Sequence, residues 1–212
     1  MGKATISRKE RERARHRQEI LSAALGLFAQ KGYDAVSMQQ IAATAEFATG
    51  TLYNFFRDKE DLYFELLVSC AKDAFGLIMP VLDGPRDEQR KVADFIGLHE
   101  RLAREHRAAI QLFLLERRAR YLPGSKTETK KKEFSAWLIQ QLSEVIAAGI
   151  RNGLFNNIDP LIAAKCLTAT LEAAVFAAVE NPRGTHLKAD LKGIKTVFFK
   201  GLVDNSRNKH KA

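Results

Sequence analysis

Apolar residues along this chain recur at three- and four-residue intervals, the spacing of helices that bury one face. Ile20, Leu21, Ala24, Leu25 and Phe28 form the first such stripe and predict a helix over 15–30, stopped at Gly32. The run from Val36 to Leu62 reads VSMQQIAATAEFATGTLYNFFRDKEDL and packs three helix signals into a short space. Ser37 and Gln40 make a capping box, and Val36 and Ile41 are placed as its hydrophobic staple. A helix is therefore expected over 38–45, a turn at Glu46 and Phe47, and a second short helix over 48–54. Asp58 then caps a helix that opens at Lys59. Phe28, Ile41, Leu52 and Phe56 are the expected small core of these elements.

The helix from Lys59 carries Leu62, Leu66 and Cys70 on one side and is expected to end near 79, before Pro80 and Asp83-Gly84-Pro85. Two helices meeting near His106 follow, with Val92, Phe95, Ile96, His99 and Leu102 on one face and Ile110, Phe113 and Leu114 on the other. Leu122-Pro123-Gly124 breaks the pattern, and a second capping box, Ser125 with Glu128, opens a long helix to about 152. Asp159 with Pro160 is a strong start signal for a helix to about 180 that is apolar nearly all round. A last helix over 186–203 repeats Leu187, Leu191, Ile194, Phe198 and Leu202. The expected fold is all-α, with about nine helices. An N-terminal three-helix helix-turn-helix domain is joined by a continuous helix to a larger helical domain. The expected boundaries are a basic disordered arm at 1–14, a helix-turn-helix DNA-binding domain at 15–66, a larger helical domain at 67–204, to which the family resemblance given below adds ligand binding and dimerisation, and a basic tail at 205–212.

Charge sharpens the picture. The net charge of +9 is concentrated at the two ends. Residues 1–17 carry seven Lys/Arg against Glu10 and Glu12, and 205–212 add Arg207, Lys209 and Lys211. A basic arm leading into a helix-turn-helix is suited to phosphate or the minor groove, although charge runs are commonly only solvated. The 212 residues show no apolar stretch expected to span a bilayer and no signal core, which points to a cytoplasmic protein without a membrane partner. Cys70 and Cys166 lie in apolar helical patterns and are expected to be buried free thiols. His99 and His106 could share a helical face but have no third ligand, so no metal is expected, nor any cofactor. No Ser/His/Asp set or carboxylate pair stands out, and the chain is not expected to be an enzyme.

Two short helices on a tight turn are the shape of a DNA-binding helix-turn-helix. In such a motif Thr49, Thr51 and Asn54 are placed to reach base edges, and Gly50 permits close backbone approach. Ser37 and Gln39 lie where the preceding helix meets the DNA backbone, and Lys59 opens a helix whose N-terminus favours phosphate. Gly32-Tyr33, Ser37, Ile41-Ala42, Gly50-Thr51-Leu52-Tyr53, Phe56 and Lys59 together resemble the DNA-binding domain of the TetR family of one-component transcriptional regulators. About fifty residues carry the resemblance, with two departures: Glu46 stands where the family usually has glycine, and Ala48 where a serine-like cap is common. The resemblance implies that the Tyr53 hydroxyl meets a phosphate. It also implies a small-molecule pocket in the helical body, for which pattern nominates Phe64, Phe75, Phe95, His99, Phe113, Trp137 and Phe176, with an apolar or aromatic effector. One partner helix cannot cover the helix from Pro160. Two copies of the last helix pair can, by packing as a four-helix bundle through Leu167, Leu171, Ala174, Leu191, Ile194 and Phe198. In the resembled family this is the dimer interface.

The expected function is a sequence-specific transcriptional regulator, a ligand-responsive repressor acting as a homodimer on double-stranded DNA with an inverted-repeat operator. The alternatives are an effector-independent architectural DNA-binding protein, and an enzyme using the helical body.

Overall fold

The computed structural model describes residues 7–118, 126–184 and 186–202. Its described residues form nine α-helices and no strand: α1 (Arg8–Lys31), α2 (Met38–Thr44), α3 (Thr49–Tyr53), α4 (Lys59–Leu82), α5 (Glu88–Glu105), α6 (Arg107–Arg118), α7 (Lys126–Arg151), α8 (Pro160–Glu180) and α9 (Leu187–Leu202). The basic tail, Leu122-Pro123-Gly124 and Ser125 lie outside the described residues. The rest separates into two compact units. One holds 7–70 with 112–118, the other 71–111 with 126–184 and 186–202. The division falls inside α4 and inside α6, and so places the second half of α6 with the first unit.

In the first unit α1 starts seven residues earlier than the apolar stripe indicates. Ser7 caps it through a full capping box with Glu10, and Arg8–Glu12 and Arg15–Glu19 pair along its surface at i,i+4. The segment expected to be a disordered arm is therefore helical from Arg8. Local caps and ion pairs extend a helix that apolar periodicity cannot see. Phe28, Ile41, Leu52 and Phe56, the expected small core, are sealed from solvent, as are Ile20 and Leu62. Phe28, Tyr33 and Tyr63 form a ring cluster beside it, with centroids 4.8–5.7 Å apart.

The second unit is built on a buried cluster of Ile78, Leu82, Val92, Phe95, Ile96, Leu142, Ile146, Phe155, Leu167 and Leu171, with others from α7, α8 and α9. α4 continues past Pro80 to Leu82, and its last turn is closed by the Asp83 N–H on the Met79 carbonyl. α5 and α6 part at His106, as expected, and Asp87 caps α5 on the Arg90 N–H. α7 ends in a turn through Gly153 at φ 67°, which lays Phe155 back onto Gly149 of the same helix. A Cβ at Gly149 would collide with the Phe155 ring.

α8 corrects three expectations. It is long and apolar enough to cross a membrane, by length and composition alone. Leu167, Leu171 and Leu191, expected at a dimer interface, are instead buried in the chain's own core, and Ile194 and Phe198 pack against it. The stripe left outside α8 and α9 is Ile162, Cys166, Ala169, Ala173 and Ala177, with Ala189, Gly193 and Val197. Cys166 is therefore exposed, while Cys70 is buried. Periodicity identifies which residues share a face. It does not say whether that face meets the same chain or another.

Gly149→Ala should lower stability by about 1–3 kcal/mol through overpacking against Phe155. Gly76→Ala, on α4 with open space around it, should leave the melting temperature unchanged or raise it. Thermal unfolding of the two variants checks the contrast.

Candidate DNA-binding interface

α2 begins as its sequence dictates. The Ser37 hydroxyl accepts from the Gln40 N–H at 3.2 Å, and the Gln40 amide oxygen accepts from the Ser37 N–H at 2.9 Å. Val36 and Ile41, the expected staple, are both buried. The helix stops at Ala45, and Glu46 turns the chain at φ 60°. A non-glycine residue adopts this left-handed conformation only at some cost. The Phe47 N–H then bonds to the Ala42 carbonyl at 2.9 Å and closes the turn.

α3 has five residues and no side-chain cap at Ala48. A missing cap costs about 1 kcal/mol. Leu52 is fully buried and points the helix's inner side at the core. The other side is open: Gly50, Tyr53 and Asn54 are exposed, and Thr49 and Thr51 are half-buried. Gly50 is helical, without a positive φ, and a Cβ added there would meet nothing within 4 Å. The fold itself therefore does not require glycine at this position. Gln39 is exposed and Ser37 half-buried at the start of α2.

Lys59 has a different setting from the one its position suggests. Its ammonium donates to the carbonyls of Tyr33 and Val36, each at 3.0 Å, and lies 4.2 Å from the centre of the Tyr33 ring. Two of its three donors thus tie the α1–α2 connection to the start of α4. Burial raises the Tyr33 hydroxyl pKa, helped by the Glu60, Asp58 and Asp34 carboxylates. At the same helix start, Asp61 is held below the usual carboxylate range by its hydrogen bonds from Arg57.

Two arginines that sequence reasoning counted only as N-terminal basic charge also meet this motif. Arg13 donates to the Asn54 carbonyl at 3.4 Å and lies over the Phe55 ring, and Arg17 donates to the Phe55 carbonyl at 3.4 Å and lies over Phe56. Their i,i+4 spacing was the available signal.

The nominated ligand residues are divided between the two units. Phe64 and Phe113 fall in the first unit and the others in the second. Phe75 and Trp137 stack at 4.7 Å, joined by Phe134 at 5.8 Å from Trp137. Phe95 is sealed in the core against His99. The His99 Nδ1–H donates to the Phe95 carbonyl at 2.8 Å, and burial pushes its pKa down. Phe176 is half-buried on α8. Two open grooves, one of about 790 Å³ between α5 and α9 and a smaller one lined by α4, α5 and α7, involve none of these residues. Sequence reasoning also passed over Thr168, whose hydroxyl is buried on α8 without a hydrogen-bond partner.

A capped helix, a left-handed turn and a short second helix with an open polar face define a helix-turn-helix DNA-binding protein. The sequence pattern of the family described as bacterial regulatory proteins, tetR family, matches residues 20–66. The transcriptional repressor KstR2 of Mycolicibacterium smegmatis is 30% identical over 141 residues, covering 64% of this chain and 67% of the relative. The fatty acid metabolism regulator protein of Bacillus subtilis is 27% identical over 199 residues, 90% of this chain and 95% of that protein. Among solved structures, the fatty acid degradation regulator FadR from Bacillus halodurans superposes with a TM-score of 0.73 at 24% identity, over 87% of this chain and 98% of its own. The chain belongs to the TetR family, and it is a DNA-binding transcriptional regulator.

Gly50→Ala isolates the interface from the fold. Alanine is the better helix former by about 0.5–1 kcal/mol, so the variant should melt no lower than the parent. Its DNA affinity should nonetheless fall, because the new methyl group stands on the face presented outward. Unchanged affinity in a fluorescence-anisotropy titration would remove Gly50 from the interface.

Proposed function

We propose that this regulator is a repressor that acts as a homodimer on an inverted-repeat operator and is released by an apolar small-molecule effector in the cytoplasm. The open face of α3, backed by the buried Leu52, is the observation that carries the reading. Thr51 and Asn54 read base edges, Thr49 assists, and Gly50 lets the backbone approach. Ser37, Gln39 and Tyr53 hold the phosphate backbone and set register. Lys59 has one donor left for a phosphate, and its larger part is to brace the motif.

The dimer is the economical cover for α8 and α9. Ile162 and Val197 are 59% and 74% exposed, and the alanines and glycine between them allow close helix approach. This stripe replaces Leu167, Leu171 and Leu191 as the contact surface, with Ala174 at its margin. A membrane would also accept such a face, but it would leave the buried side of α8 unexplained. For the effector, support comes from Phe75 stacked on Trp137, from the half-buried Phe176, and from the fatty-acid role in the name of the B. subtilis relative. Phe95 and His99 serve the core. The names of the relatives, a metabolism regulator and a transcriptional repressor, support regulation, not turnover, as the reading of the helical body.

Selection of DNA from a random pool by the purified protein, at near-physiological salt, tests the reading. One inverted-repeat motif is expected. Recovery of no motif, with binding that disappears as salt rises, would favour the architectural alternative. The dimer has its own check in Cys166. Ala169→Glu, one helical turn away, should yield monomers by sedimentation and speed thiol labelling of Cys166. A dimer with unchanged labelling would place the interface elsewhere.

A further inference from the structure

α3 is too short to hold its own shape, lacks a side-chain cap, and follows a strained residue at Glu46. Something outside it must fix its angle, and Leu52 alone fixes only depth. The C-terminal carbonyls of a helix carry its unsatisfied acceptors and the negative end of its dipole. Just past that end of α3, at the cap residue Asn54 and its neighbour Phe55, the structure places two guanidinium groups. Arg13 reaches the Asn54 carbonyl and lies 5.6 Å from the centre of the Phe55 ring. Arg17, one turn on, reaches the Phe55 carbonyl, lies 4.8 Å from the centre of Phe56, and is ion-paired with Glu65 of α4. Arg17 is half-buried, whereas Arg13 is exposed. A planar guanidinium donates in its plane while its flat face stacks on a ring, a geometry that the shorter, non-planar lysine head group does not reproduce at the same position.

We propose that Arg13 and Arg17 are positioning residues that clamp the C-terminal end of the recognition helix to α1, and through Glu65 to α4, and so set the angle at which α3 meets DNA. Both lie before residue 20, where the match to the family begins. In the clamp the basic charge at the start of α1 serves the helix-turn-helix from within. The proposal rests on α3 being the recognition helix of the complex described above, but its first test needs no DNA.

That test is amide hydrogen exchange of the full-length free protein and of R13A and R17A. The amides of Asn54, Phe55 and Phe56 bond within this turn. They should exchange about tenfold faster in each variant, while core amides of α5 and α8 keep their rates, the pattern of local opening. Unchanged exchange at 54–56 would overturn the clamp. Uniform acceleration throughout would also overturn it, by showing a global loss of stability. R13A removes an exposed side chain, so it keeps the test open if R17A does not fold.

The second readout uses the selected operator and an unrelated duplex. The clamp predicts that R13K and R17K lose operator affinity about as much as the alanine variants, roughly tenfold, with little change on the unrelated duplex, because geometry and not charge is lost. If the arginines instead contact phosphate, the lysine variants will bind like the parent. The alanine variants will then weaken both duplexes and flatten the salt dependence by about one unit each. Failure to recover an operator would sink the recognition reading and leave the exchange result standing, so the two failures are separable.

Discussion

A five-residue helix closes little more than one turn, and nucleation costs leave such a segment unstable on its own. The function of this chain nevertheless depends on the orientation of α3. Its inner side is anchored by Leu52, which is sealed beside Phe56 and Ile41. The Asn54 and Phe55 carbonyls, just past its C-terminal end, are engaged by Arg13 and Arg17 from α1. Its N-terminal side is set by the turn at Glu46, where the Phe47 N–H bonds back to Ala42. α1 carries the arginines and the apolar stripe, α2 supplies the turn, and Lys59 ties the α1–α2 connection to α4 through the Tyr33 and Val36 carbonyls.

The second unit answers a different constraint. α8 is apolar on nearly every side, and a helix of that kind must be covered all round. Its Leu167 and Leu171 side enters the core with α5 and α7, where Phe155 is folded back against Gly149. The opposite stripe is made of small residues and ends in the exposed Ile162, so it is flat as well as apolar. In the proposed dimer the two sides divide the labour, large side chains filling the protomer and small ones admitting the partner helix.

The helices were legible in the sequence wherever a cap or a breaker stood beside a periodic stripe. Ser37 with Gln40 and Asp159 with Pro160 both start helices where their chemistry requires. The start of α1 was not legible from periodicity. It depends on Ser7 and Glu10 and on ion pairs within a run of charge that resembles a solvated tail. Among site residues, the polar face of α3 followed from the pattern because Leu52 fixes which side is inside. The partner of a cation does not follow in the same way. Lys59, Arg13 and Arg17 each found backbone carbonyls 23 to 41 residues away, and no local rule specifies that choice. Leu167 and Leu171 were misassigned for a related reason, since a stripe does not name its neighbour.

Cations on a DNA-binding unit invite the assumption that each one is there for phosphate. Here the three best-placed cations beside the motif are engaged with carbonyls and ring faces. Such bonds fix geometry, and they draw on guanidinium and ammonium groups that would otherwise add to a sequence-independent attraction. The consequence is a shift in the balance of recognition. In the proposed complex, with part of its charge turned inward, the unit relies more on the short polar side chains of α3, and those report on base identity only when the helix is held still. An inward-facing cation therefore acts on specificity twice, by steadying the reading head and by contributing less to binding at the wrong sites.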